Sequence, residues 1–119
     1  MDWFAIKVDM LEWAGISRDL AHIYAGVAIQ LGVAALLGRS LGSTIPLGAV
    51  LVLELVNEWY DVRHVGGFEA MKPQYWQAAY WDIGITMALP VLLFLLSRFW
   101  PTLLVDAGRP AAEEPPQEE

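Results

Sequence analysis

Three long apolar runs, set apart by short polar segments, dominate the pattern of this chain. From Leu20 to Leu37 only His22, Tyr24 and Gln30 interrupt the first run. As a helix it would extend about 27 Å, enough for the hydrocarbon core of a bilayer. The segment Gly38-Arg39-Ser40-Leu41-Gly42-Ser43 is long enough only for a tight link, so the second run, 45–60, should return antiparallel to the first, with Pro46 in its opening turn. A polar connection follows over residues 62–73, marked by Arg63-His64, Gly66-Gly67 and Lys72-Pro73. Tyr75, Trp76, Tyr80 and Trp81 then lead into a third run, 82–100, in which Pro90 predicts a kink because its ring removes one backbone hydrogen bond. The pattern predicts an all-α membrane protein with three transmembrane helices over residues 19–100.

The two ends read differently. Over residues 1–18, Trp3, Phe4, Ile6, Met10, Leu11 and Trp13 alternate with Asp2, Asp9 and Glu12. Such a short mixed pattern predicts an N-terminal interfacial amphipathic helix lying in the headgroup plane. The start lacks the positive residues and small-residue cleavage site of a secretory signal, so the leader is expected to be retained. Residues 101–119 are proline-rich and acidic, without periodicity, and are expected to form a disordered tail.

Composition sharpens this picture. Hydrophobic residues make up 56% and charged ones 18%, a membrane balance rather than a soluble one. With no cysteine, disulfides and thiolate metal sites are excluded. The net charge of −7 offers no basic surface for nucleic acid.

Against that background the stretch Leu53-Glu54-Leu55-Val56-Asn57-Glu58-Trp59-Tyr60-Asp61 stands out. Glu54, Asn57, Glu58 and Asp61 recur at i, i+3, i+4 and i+7, on one face of a helix. A charged side chain at the bilayer centre costs roughly 2.5–3.5 kcal/mol on insertion scales, so these acids require partners or a purpose. Three antiparallel spans bring His22, Glu58, Asp61 and Asp82 to one interface, with Glu54 and Gln30 expected deeper by two to three helical turns. Nine of the ten Trp and Tyr side chains fall on that same side, at the boundary such rings prefer. Lysine and arginine divide four to three between the two sides, leaning toward a cytoplasmic amino terminus.

Converging carboxylates of Glu54, Glu58 and Asp82 would suit Mg²⁺ or another hard cation able to meet a phosphate headgroup. His22 would serve proton chemistry if an acid orients its ring. The catalytic candidates are therefore His22, Glu54, Glu58 and Asp82, with Gln30, Asn57, Asp61 and Thr86 lining the pocket or locking helices. A purely structural reading pairs His22 with Glu58 and Asn57 with backbone or Gln30, makes Asp82 the N-cap of the third span, and lets Arg18 or Arg63 neutralise Asp61. No phosphate-cradling glycine loop, serine elbow or HExxH motif is present in the sequence.

Asp19-x-x-His22, Glu54-x-x-Asn57-Glu58-x-x-Asp61 and Asp82-Ile83-Gly84-Ile85-Thr86 together resemble the ordered polar signature of VanZ-like small membrane proteins, over roughly residues 19–98. The chain departs from that family at Asn57, where the family tends to have Gln, and at Thr86, where it tends to have Asn. The resemblance implies a role in the cell envelope and a bacterial inner-membrane location. A second resemblance, to bacterial diacylglycerol kinase, rests on length, three spans, an interfacial leader and Glu54-x-x-Asn57, but Trp81 stands where that family carries a lysine.

The function expected from the sequence is therefore binding or processing of a lipid or lipid-linked headgroup in an intramembrane polar pocket. The alternatives are a non-enzymatic accessory or assembly subunit of a membrane complex, and a lipid phosphotransferase. Membrane lipid is the expected partner. Three spans bury little surface, so a homo-oligomer or a larger complex is also expected, with Gly26, Gly32 and Gly48 as small contact faces.

Overall fold

The computed structural model of the chain describes residues 2–106, and among them the structure is all-helical. The helices are α1 (Trp3–Ala14), α2 (Arg18–Leu37), α3 (Thr44–His64), α4 (Pro73–Phe99) and α5 (Pro101–Asp106), with a 3-10 turn at Phe68–Ala70 before α4. Each of the first three opens on a polar cap. The side chain of Asp2 accepts from Phe4 N, that of Ser17 from Leu20 N, and that of Ser43 from Ile45 N. α4 instead opens on Pro73, whose missing N–H would have no helical partner there. Gly38, at φ 59°, takes the left-handed conformation that ends α2 and turns the chain into α3.

α2 and α4 are long and apolar enough to cross a membrane. α3 is of similar length, at 21 residues, but its acids lower its hydropathy. α2 and α4 run parallel and pack directly on each other, and α3 packs antiparallel against both. The seam is narrow: Gly26, Gln30 and Ala34 on α2, Pro46, Val50, Glu54, Glu58 and Val62 on α3, and Ala79, Asp82, Thr86 and Pro90 on α4. Spacings of three and four keep each set on one helical face.

The buried seam is as polar as it is apolar, whereas Leu36, Val52, Leu55, Leu92 and Phe99 stand on the outside. Close approach of α2 to α4 depends on Gly26, above which a Cβ would lie 2.3 Å from the Thr86 carbonyl oxygen. Gly26 is thus spent inside the chain, correcting its assignment as an outward contact face. Gly32 and Gly48 have open space above them. At the far end Arg98 Nη1 donates to the Gly42 carbonyl at 3.4 Å, tying the α2–α3 turn to the end of α4.

The third helix opens at the Lys72-Pro73 break, as proline at a first helical position allows, and the aromatic lead-in to the apolar run is itself helical. Asp82 therefore lies more than two turns inside α4 and is not an N-cap. Pro101–Asp106, expected within the disordered tail, forms α5, with Pro101 opening it as proline does at a first helical position. The rest of that tail lies outside the described residues.

Candidate functional site

The helical faces of α2, α3 and α4 meet at His22. Its Nδ1 lies 3.0 Å from Thr86 Oγ1 and 3.2 Å from Glu54 Oε1, and its Nε2 lies 3.6 Å from Asp82 Oδ2. The imidazole thus spans three helices with one side chain. One N–H at Nδ1 cannot serve both Thr86 and Glu54 fully. The better-placed contact is with Thr86, and Glu54 Oε1, on a residue only 7% exposed, is left without a hydrogen bond.

Glu54 is therefore level with His22, one turn from Glu58 and not two to three turns deeper. Only Gln30 lies deeper, where its Nε2 donates to the Pro90 carbonyl at 2.9 Å.

Two cations approach the acids. Arg18, at the start of α2, pairs through Nη2 with Asp82 Oδ2 and lies 3.7 Å from Asp61 Oδ2. Lys7 reaches over from α1 to Asp61 Oδ1 at 2.6 Å and to Asn57 Oδ1 at 2.9 Å. Trp3 Nε1 donates to the same Asn57 oxygen at 3.2 Å. These contacts fold α1 over the polar end of the bundle. His64 reinforces the fold, since its Nδ1 lies 2.9 Å from Asp2 Oδ2 and its ring stacks on Phe4 at 4.2 Å.

Several pairings foreseen from the sequence are thereby corrected. His22 meets Glu54 and Thr86 rather than Glu58, because Glu54 is the acid nearest its depth once α2 and α3 cross. Asn57 is taken by Lys7 and Trp3, and Gln30 by Pro90, so these two amides do not bond each other. Arg18 does reach Asp61, while Arg63 turns outward over the Trp59 ring at 4.9 Å.

The convergence of His22, Glu54, Glu58, Asp61, Asp82 and Thr86 is otherwise as the antiparallel arrangement requires. Lys7 and Trp3 were missed as site residues. A signal existed, because Lys7 is the sole basic residue before Arg18 in an otherwise acidic leader.

The metal-capable group also differs from the expected Glu54, Glu58 and Asp82. Ligand atoms of His22, Glu58 and Asp82 lie within 4.8 Å of one another, while Glu54 sits behind His22 against its other ring nitrogen.

Beside this cluster a cleft of about 960 Å³ opens between α1, α2 and α3. Lys7, Arg18, His22, Glu54, Asn57 and Asp61 line it at the polar end of the bundle; Ala25, Ile29, Val50 and Leu53 line it further along α2 and α3, and α1 adds Val8, Met10, Leu11 and Glu12. A smaller cavity of about 170 Å³ lies across the cluster, where Glu58 and Asp61 face Ala78 and Ala79 of α4. No family model, curated protein or solved structure matches this chain.

Proposed function

We propose that the protein is a three-span integral membrane protein whose cleft binds a lipid or lipid-linked molecule, with the headgroup at the His22 cluster. The observation that carries this reading is the polarity gradient of the cleft. Around His22 it presents cations, carboxylates, an imidazole and an amide, and further along α2 and α3 it presents Ala25, Ile29, Val50 and Leu53. A molecule with a polar head and an apolar chain matches both, and the volume is that of a small-molecule site.

The inverted distribution of polarity supports the membrane part of this reading. Apolar side chains cover the outside while Gln30, Glu54, Glu58, Asp82 and Thr86 lie within. α1 then lies at the interface, roofing the headgroup end. The resemblance to VanZ-like proteins implies a cell-envelope setting for this pocket.

The test is photolabelling in nanodiscs with a phospholipid carrying a diazirine in its acyl chain. Label should concentrate on Ala25, Ile29, Val50 and Leu53, and Ala25→Trp, which fills the cleft, should remove it. Glu54→Gln and Glu58→Gln, made separately, should alter labelling while leaving the fold intact. Label spread evenly over outward faces, and insensitive to all three substitutions, would end the proposal.

One observation favours a second reading, that of a non-enzymatic assembly subunit. Arg18 with Asp82, His22 with Thr86 and Gln30 with Pro90 tie α2 to α4 at successive levels, as helix-locking residues would. On this account Glu54→Gln and Glu58→Gln disturb assembly first, and lipid labelling only as a consequence.

A further inference from the structure

We propose that His22, Glu58 and Asp82 bind a divalent transition-metal ion, with Glu54 as the carboxylate that orients the histidine from behind. One ligand comes from each of α2, α3 and α4, so the ion would be the common centre of the bundle. The three ligand atoms already lie within 4.8 Å of one another. An ion with bonds of about 2.0–2.2 Å draws such atoms to about 3–4 Å apart. Side-chain rotation of Glu58, whose hydrogen bond from Asn57 is a long 3.4 Å, supplies the difference.

Two further observations point to a cation. The first is the division of labour on the imidazole. Nδ1 faces Thr86 Oγ1 and Glu54 Oε1, while Nε2 faces Asp82. A histidine that donates from one nitrogen to an oxygen and turns the other toward carboxylates has the arrangement of a metal-ligating imidazole with its supporting acid.

The second is charge. Glu54 Oε1 is buried with only the His22 Nδ1 it shares with Thr86 near it, at 3.2 Å, and Lys7 is committed to Asp61 and Asn57. Arg18 is then the cation left for Glu54, Glu58 and Asp82, and its side chain is 48% exposed, free to swing outward. A divalent ion offsets the remaining negative charge where a lone carboxylate would be costly.

Mixed nitrogen and oxygen donors select ions of the Mn²⁺, Fe²⁺ and Zn²⁺ class over Mg²⁺. Three protein ligands leave coordination positions for an exogenous oxygen. Resting on the lipid-cleft reading, the ion is also what would let a phosphate headgroup approach a site rich in carboxylates.

The test uses the full chain in detergent micelles without added phospholipid. Mn²⁺ uptake is followed by the loss of its free-ion electron paramagnetic resonance signal, and Zn²⁺ uptake by calorimetry. One ion per chain is expected. His22→Gln, Glu58→Gln and Asp82→Asn should each weaken binding at least tenfold, and Glu54→Gln by about 10-fold or more.

Arg18→Gln should tighten binding, because the guanidinium competes for Asp82; a merely structural cluster would not respond in that direction. Asp9→Asn and Glu69→Gln, on exposed acids away from the cluster, should change nothing. Far-UV circular dichroism identifies any variant that fails to fold, and Glu58→Gln and Arg18→Gln then carry the decision. No saturable uptake, or uptake unchanged in both His22→Gln and Glu58→Gln, overturns the site. Persisting lipid photolabelling without metal uptake overturns the metal site alone; uptake without labelling supports the metal site and overturns the lipid cleft.

Discussion

Gly26 packs directly on the backbone carbonyl of Thr86, so closely that a Cβ at position 26 would lie 2.3 Å from the oxygen. The partner explains the contact. Pro90 has no N–H to offer the carbonyl four residues before it, so Thr86 O lacks its helical hydrogen bond and faces the Cα of Gly26 instead. Proline on one helix and glycine on the other thus define a single close crossing.

Gly26→Ala should therefore destabilise the bundle. Alanine gains about 1 kcal/mol in helix propensity, but the clash is with backbone, and overpacking typically costs about 1–3 kcal/mol. We expect a net loss on unfolding in detergent. Gly48→Ala, with nothing within 4 Å of its Cβ position, should be neutral or stabilising. Equal behaviour of the two variants would contradict the crossing.

Gln30 offers a second test of the same seam. It is fully buried, and its Nε2 donates to Pro90 O while its Oε1 has no partner. Gln30→Leu removes a hydrogen bond and an unsatisfied acceptor together, so its effect should stay within about 1 kcal/mol. Gln30→Ala adds a cavity and should cost about 2–3 kcal/mol more. The pair of unfolding free energies decides whether shape or hydrogen bonding holds α2 to α4.

Docking of α1 rests on Lys7 and Trp3. Because the chain has no cysteine, spin labels can be placed uniquely at Met10→Cys and Phe68→Cys, both exposed positions. Electron–electron resonance should give a narrow distance distribution. Lys7→Met combined with Asn57→Leu should broaden it, whereas Lys7→Met in α1 without effect on the distribution would show that aromatic stacking on His64 suffices.

The crossing of three helices predicts which sites share a side. Single cysteines at Asp9 and Phe68 should react with an impermeant maleimide from one face of sealed vesicles, and cysteines at Ser40 and Trp100 from the other. Reaction of Ser40 and Phe68 from the same face would rule out the proposed three-span arrangement.

The pattern of apolar runs and polar breaks, through hydrophobic burial and chain connectivity, already specified α1 to α4 and their order. The i, i+3, i+4, i+7 spacing put Glu54, Asn57, Glu58 and Asp61 on one face, and antiparallel return brought His22 and Asp82 to their level. Those conclusions need only helical periodicity and short links.

Pairing was another matter. Whether His22 meets Glu54 or Glu58 depends on how α2 and α3 cross, a difference of one helical turn that no single-helix pattern encodes. Likewise α1 carries Lys7 to Asp61 only because the chain turns at Gly15 and folds back, so a residue far away in sequence completes the site. Helical periodicity fixed which face each side chain occupies; the partners were decided by interhelical packing, which sets depth and angle together.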